Sequence, residues 1–419
     1  MTKKTLAVWW MSLSAGCVFM AAGAFAQNAN RGQPTPALDR DQPVADTERW
    51  ILSLTVAAHY DDNRDALKDN PQSDLDLIVR PRATLLYNLD ETFLRLFYEP
   101  SYTWRSNPRS VADGNAQNRE EWYQSAGLTV ARQFSPLVGF KAGDIFAYTD
   151  DPAVTEGGVA QRQNNTYIGN RLYGSLDVTP SRVSYGRLDA SYNLKRYTEQ
   201  AVADEWDEDM YDSTLEVGHT VTPGLNAFGQ LGASIYKNAS TNQDRGSTAY
   251  TFAGGLEKIF TPDFTGRITA GYQEAVYDDS SIGSKGGWLA RLETTLGGTS
   301  PTRLRLLLEH GFYMPYVLPY SIQEMSTFRV AVDHDLTRDL MLSVFGQYTD
   351  SFYPAEASST SHVDLPGGHD RMTDVGLNAT YRINRNFSCG AGYRYQSWDS
   401  DVRESYSHNM VDLSFTGQL

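Results

Sequence analysis

The chain has 419 residues, a net charge of −15, a sequence pI of about 4.9 and two cysteines, which excludes a basic nucleic-acid binder and a disulfide scaffold. Aromatic residues make up 12% of it, Tyr alone occurring 25 times, yet after the amino-terminal segment no run approaches the roughly 18 consecutive apolar residues of a membrane helix. A mean hydropathy of −0.45 with many aromatics suits strands that alternate lipid-facing and water-facing side chains.

In chain order, Lys3 and Lys4 precede an apolar stretch from Leu6 to Ala22, and Ala24-Phe25-Ala26 has the small-x-small form of a signal-peptidase site. The reading is a signal peptide over 1–26, export, and a mature chain beginning near Gln27. Cys17 resembles a lipidation site, but Ser14 stands where that motif wants leucine and the apolar run continues past the cysteine. After cleavage only Cys389 remains, so no intrachain disulfide can form. Residues 27–49 carry Pro34, Pro36 and Pro43 without periodicity and read as a flexible periplasmic leader.

From Trp50 onward a period of two gives eighteen strands: 50–61, 74–88, 91–105, 120–133, 137–149, 164–178, 182–196, 208–221, 225–238, 246–259, 264–277, 286–297, 302–315, 321–334, 339–352, 370–382, 387–398 and 406–418. A turn signature recurs at Phe134-Ser135-Pro136, Val178-Thr179-Pro180, Val221-Thr222-Pro223, Phe260-Thr261-Pro262 and Thr299-Ser300-Pro301, its prolines about 40 residues apart. A propeller blade divides such a repeat among four short strands, whereas two long strands per repeat fit a membrane barrel. The short turns, including 88–91, 335–338 and 384–386, alternate with longer links such as 106–119, 150–163 and 353–369. Short turns face the periplasm and long loops face outside in this architecture, so an even strand count places both termini in the periplasm. The expected fold is an all-β, up-and-down antiparallel transmembrane barrel over 50–419.

Parity within strands separates the two faces. Leu94, Leu96, Tyr98, Pro100, Tyr102 and Trp104 share one side, with Arg95, Glu99 and Thr103 on the other. Leu188, Ala190, Tyr192 and Leu194 oppose Arg187, Asp189 and Asn193, and Leu304, Leu306 and Leu308 oppose Arg303, Arg305 and Glu309. A soluble sandwich also alternates, but strand length, the signal peptide and the repeat weigh against it.

The run Leu54-Thr55-Val56-Ala57-Ala58-His59-Tyr60-Asp61-Asp62-Asn63, followed by Ser73-Asp74 and Val79-Arg80-Pro81, resembles the opening of the outer-membrane beta-barrel porin families of Gram-negative bacteria. That resemblance extends over about 50–419, with recognisable motifs in the first two strands. It implies an outer-membrane location and, since some members are associated with extracellular polysaccharide production, an export role as a candidate. Barrels of this kind commonly end on an aromatic residue read by the assembly machinery; here Val411, Leu413, Phe415 and Leu419 keep the period but the last residue is leucine.

Eighteen strands enclose space for an aqueous channel unless something plugs it. Inward parity collects Arg80, Arg82, Arg95, Arg171, Arg187, Lys195, Arg267, Arg291, Arg303, Arg305, Arg329 and Arg394 against Asp76, Glu99, Asp177, Asp189, Glu257, Glu293, Glu309, Asp374 and Asp412. Rings of arginine attract anions, so this collection predicts a mildly anion-favouring lumen; the alternative is that these charges pair across strands and hold the wall in shape. Arg95, Arg303 and Arg305 are the preferred wall or constriction charges. Acidic residues at 61–62, 204–209 and 278–279 read as solvated, self-repelling loops or, alternatively, as oxygen ligands for divalent cations alongside lipopolysaccharide; the Asp61-Asp62-Asn63 group lacks the spacing of a calcium loop. Tyr313, Tyr316, Tyr320, Phe352 and Tyr353 read as an outer aromatic girdle or as sugar-stacking rings.

The seven histidines lie outside any G-x-S-x-G or H-E-x-x-H context, so no catalytic residue, metal site or cofactor is assigned. The expected function is a porin-like channel passing hydrophilic solutes. The alternatives are an exit channel for an extracellular polysaccharide and a closed barrel with a structural or surface-binding role. Expected partners are outer-membrane lipid and lipopolysaccharide, the barrel-assembly machinery, and small hydrophilic solutes or a polysaccharide; nucleic acid is excluded.

Overall fold

The computed structural model describes residues 49–64, 66–89, 91–107, 119–150, 166–238, 246–278, 283–298, 300–313, 320, 323–357 and 364–419. The segments expected to form the signal peptide (1–26) and, apart from Arg49, the leader (27–49) lie outside them, as does Tyr316. Strands run β1 (Arg49–Asp61), β2 (Asp74–Leu89), β3 (Thr92–Arg105), β4 (Glu120–Ser135), β5 (Val138–Asp150), β6 (Thr166–Val178) and β7 (Ser184–Tyr197). A short helix α1 (Gln200–Trp206) follows. Then come β8 (Glu208–Thr222), β9 (Leu225–Asn238), β10 (Ser247–Thr261), β11 (Phe264–Tyr277), β12 (Ser284–Leu296), β13 (Thr302–Tyr313), β14 (Gln323–Asp335) and β15 (Leu340–Tyr353). A minimal hairpin of β16 (Glu356–Ala357) and β17 (Asp364–Leu365) precedes β18 (Gly368–Arg382), β19 (Phe387–Ser400) and β20 (Tyr406–Gln418). The eighteen long strands match the expected ones to within two residues at each end, because period-two patterning reports directly on a wall with one wet and one apolar face.

Each of these strands pairs antiparallel with its neighbour in sequence, and the sheet closes where β1 pairs β20, from Ser53↔Gln418 to Asp61↔Met410. Closure removes the edge that an open sheet would expose to lipid. Eighteen strands, at about 4.8 Å spacing and about 40° tilt, put the backbone roughly 18 Å from the axis and leave a lumen of order 10 Å radius where nothing folds in. The ladder is interrupted between β2 and β3 from Val79↔Tyr102 to Ala83↔Tyr98. By that register Pro81 and Pro100 stand opposite one another, and neither has an N–H to donate.

The outward face carries exposed Leu52, Leu54, Leu96, Leu188, Leu231, Phe252, Ile268, Leu377 and Leu413. In a soluble protein such a surface would aggregate; against acyl chains it is the stable arrangement. Rings pair near the strand ends, as at Tyr102–Trp122 (5.0 Å between centroids) and Phe387–Phe415 (5.7 Å). The carboxy-terminal strand is held to the first by reciprocal bonds, Leu52 N to Leu419 O and Leu419 N to Leu52 O.

The buried residues lie on the inner side and mostly toward the strand ends remote from the short turns. Ala66, Met372, Trp398 and Tyr406 form one cluster, and Tyr320 packs on Tyr353. Tyr353 and Tyr320 are therefore not in the outer girdle: both are nearly inaccessible, and the Tyr320 hydroxyl donates to Pro366 O. Of that set, Phe352 is on the exposed face, against His369. Asp61 and Asp62 are not solvated either. Asp61 accepts from the backbone N–H of Asn63 and contacts His408, while Asp62 accepts from the backbone N and the side-chain amide of Asn409. The Tyr-Asp-Asp-Asn segment thus ties the top of β1 to β20, and Asn63 donates its amide to Leu67 O and Ser407 O, drawing the following loop onto the barrel.

Candidate channel lumen

Every strand contributes its water-facing set to the inner wall, and the rise of side chains from neighbouring strands brings opposite charges within reach of one another. Glu99 on β3 lies 3.6 Å from Arg80 and 3.6 Å from Arg82 on β2, just where the proline pair opens the ladder. Arg95 occupies the same inward face of β3. Arg187 donates to Asp177 at 2.6 Å. Arg267 bridges Glu216 at 2.6 Å and Glu257 at 3.1 Å, and Arg291 bridges Glu293 at 2.7 Å and Glu309 at 3.0 Å. Arg303 sits 3.3 Å from Asp335, and Arg305 sits 2.6 Å from Asp333. Arg394 makes a bidentate contact with the buried Asp374 at 2.8 and 2.6 Å.

Several guanidinium groups also lie over rings. Arg82 covers Phe97 at 4.7 Å, Arg267 covers Phe228 at 3.8 Å, Arg171 covers Tyr173 at 5.7 Å and Arg329 covers Phe345 at 5.4 Å. Beneath each ring is a glycine of the adjoining strand: Gly127, Gly255, Gly143 and Gly376, where an added Cβ would fall 2.2–2.4 Å from ring atoms. The glycines let the rings lie flat on the wall, and the flat rings give each cation a π face. Sequence reading found the arginines but not these layers, since nothing in a single strand says which ring its neighbour supplies.

Sequence reading also left out inward carboxylates. Glu121 pairs with Arg105 on the β3–β4 wall, Asp212 accepts from Ser234 at 2.6 Å, and Glu216 accepts from Tyr185 at 2.9 Å and from Gln230 at 2.7 Å. Asp333, Asp335 and Asp370 belong to the same inner face, with Asp370 2.8 Å from Arg403. These carboxylates, with Arg105 and Arg403 beside them, join the expected set, and cross-strand pairing, the alternative reading, describes most of its arginines. Near the closing seam His59 meets Asp412 at 2.7 Å, and His408 lies between Asp61 at 3.1 Å and Gln396 at 2.9 Å. His369 and Asp370 turn to opposite faces, His369 toward Asp350 at 2.9 Å and Asp370 toward Arg403. Among the described residues no group of three or more His, Cys, Asp or Glu side chains is arranged to hold a metal ion.

A closed antiparallel wall, apolar outside and charged inside, defines a transmembrane β-barrel with a hydrophilic lumen. Residues 51–419 match the family model described as "Putative beta-barrel porin 2", and the chain belongs to that family, a family of the Gram-negative outer membrane. Among solved structures it is similar in fold to Acinetobacter baumannii OccAB4, at 13% identity and a TM-score of 0.50, over 90% of this chain and 100% of that one. Pseudomonas aeruginosa OpdK, in a structure with vanillate, gives 13% identity and 0.50 over 88% and 99%. OpdQ of the same organism gives 11% and 0.50 over 90% and 100%. No curated protein matches the chain. Family and fold together point to a channel rather than an enzyme.

Proposed function

We propose that the protein passes small hydrophilic solutes across the outer membrane as a porin-like channel, with both termini in the periplasm. The observation that carries this reading is the inner wall, where charged and polar side chains line a barrel of eighteen strands, a size at which the lumen is wider than side chains alone fill. The short turns between β2 and β3, β4 and β5, and β8 and β9 support the orientation. Because the arginines are matched by carboxylates, selectivity between small ions is weak, and a solute is met by fixed dipoles and by hydrogen-bond donors at the guanidinium edges. The barrel-assembly machinery inserts it, and lipopolysaccharide surrounds it.

Purified protein in a planar bilayer tests this. Steady openings with a small reversal potential in a salt gradient are expected. A barrel that is heat-modifiable on a gel yet never conducts would overturn the channel and favour a gated polysaccharide exit or a closed anchor.

A further inference from the structure

One acid breaks the rule of the outer wall. Asp144 is exposed and sits six residues from either end of β5, midway between Phe140 and Tyr148 on the outward face. Its ladder partners there are Leu128 of β4 and Leu172 of β6, both exposed and apolar, which places the carboxylate at the depth where acyl chains are least polar. The other outward charged side chains of the described strands, among them Arg132, Lys258, Glu274 and Arg371, lie within three residues of a strand end. Asp144 accepts one hydrogen bond, 2.7 Å from the side-chain amide of Asn170 on β6, itself an outward polar residue. Ala126, Ala142, Gly174 and Ala190 keep the surrounding wall flat.

We propose that the β4–β7 face is an interface with a second copy of this chain, with Asp144 and Asn170 of each copy at its centre. A side-chain carboxyl with hydrogen-bonding capacity unmet is costly against lipid, whereas a second protein wall can supply the partners that acyl chains lack. The pair is self-complementary. Each Asn170 amide nitrogen has one N–H for its own Asp144 and a second to donate across a two-fold axis, so each carboxylate accepts from both copies. Ala126, Ala142 and Gly174 beside the pair leave hollows into which the Leu128 and Leu172 side chains of a second wall can fit.

The test is cross-linking in intact outer membranes. In a Cys389→Ser background, Leu172→Cys places a thiol beside the proposed axis, and Leu377→Cys places one on the distant β18 wall. Oxidation is expected to give a covalent dimer with Leu172→Cys and none with Leu377→Cys. Adding Asp144→Leu is expected to reduce the Leu172→Cys dimer at least tenfold while the monomer stays heat-modifiable, which separates loss of contact from loss of fold. Equal cross-linking with and without Asp144→Leu, no dimer at Leu172→Cys, or a monomer carrying lipopolysaccharide in native mass spectrometry would each overturn the proposal.

Discussion

Replacing Arg95, Arg303 and Arg305 together by glutamine removes three positive charges from the wall and leaves Asp335 and Asp333 without their partners at 3.3 and 2.6 Å. At about 10 Å in a water-filled lumen each lost charge changes the energy of a univalent ion by about 0.4 kcal/mol before screening. At 0.01 M salt the Debye length is about 30 Å, so roughly 0.3 kcal/mol survives per charge and nearly 1 kcal/mol for three. Cations gain and anions lose by that amount, which together shifts the cation-to-anion permeability ratio by about 1.8 kcal/mol, roughly twentyfold toward cations. At 1 M salt the Debye length is about 3 Å and the shift vanishes. The fold is expected to survive, since the Arg305 side chain is 43% exposed and such pairs are worth at most about 1 kcal/mol. Reversal potentials measured in parallel gradients at the two ionic strengths provide the assay. A shift toward anions, or one equally large at both, would refute the placement of these charges on the conducting wall.

Leu377→Arg, near the middle of β18 on the lipid face, is expected to destabilise the barrel by about 2–4 kcal/mol, read from urea unfolding in lipid vesicles. Asp374→Ala leaves the Arg394 guanidinium without its bidentate acceptor and is expected to cost about 2–3 kcal/mol by the same method, with the Asp374→Ala, Arg394→Gln double variant recovering part of the loss. A single-variant effect below about 0.5 kcal/mol would show that water repairs the site.

Much of this protein was legible in the chain alone. The eighteen strands, their two faces and the short turns follow from a period of two, because each strand meets lipid on one side and water on the other and so carries both requirements in its own residues. The inward position of Arg187, Arg267 and Arg291 could be read in the same local way. What each arginine meets could not, since Glu216 and Arg267 are 51 residues apart and their contact depends on strand stagger. The Tyr-Asp-Asp-Asn segment looked like a solvated loop because His408 and Asn409, which bind it, lie 347 residues away across the closing seam. The same holds for the glycine beneath each inward ring, for Tyr320 against Tyr353, and for Asp144, an ordinary acid in the chain whose place at mid-height of the lipid-facing wall emerges only when β4, β5 and β6 are set in register. A strand's own residues determine its faces; only barrel closure and stagger decide which side chains from distant strands share a neighbourhood.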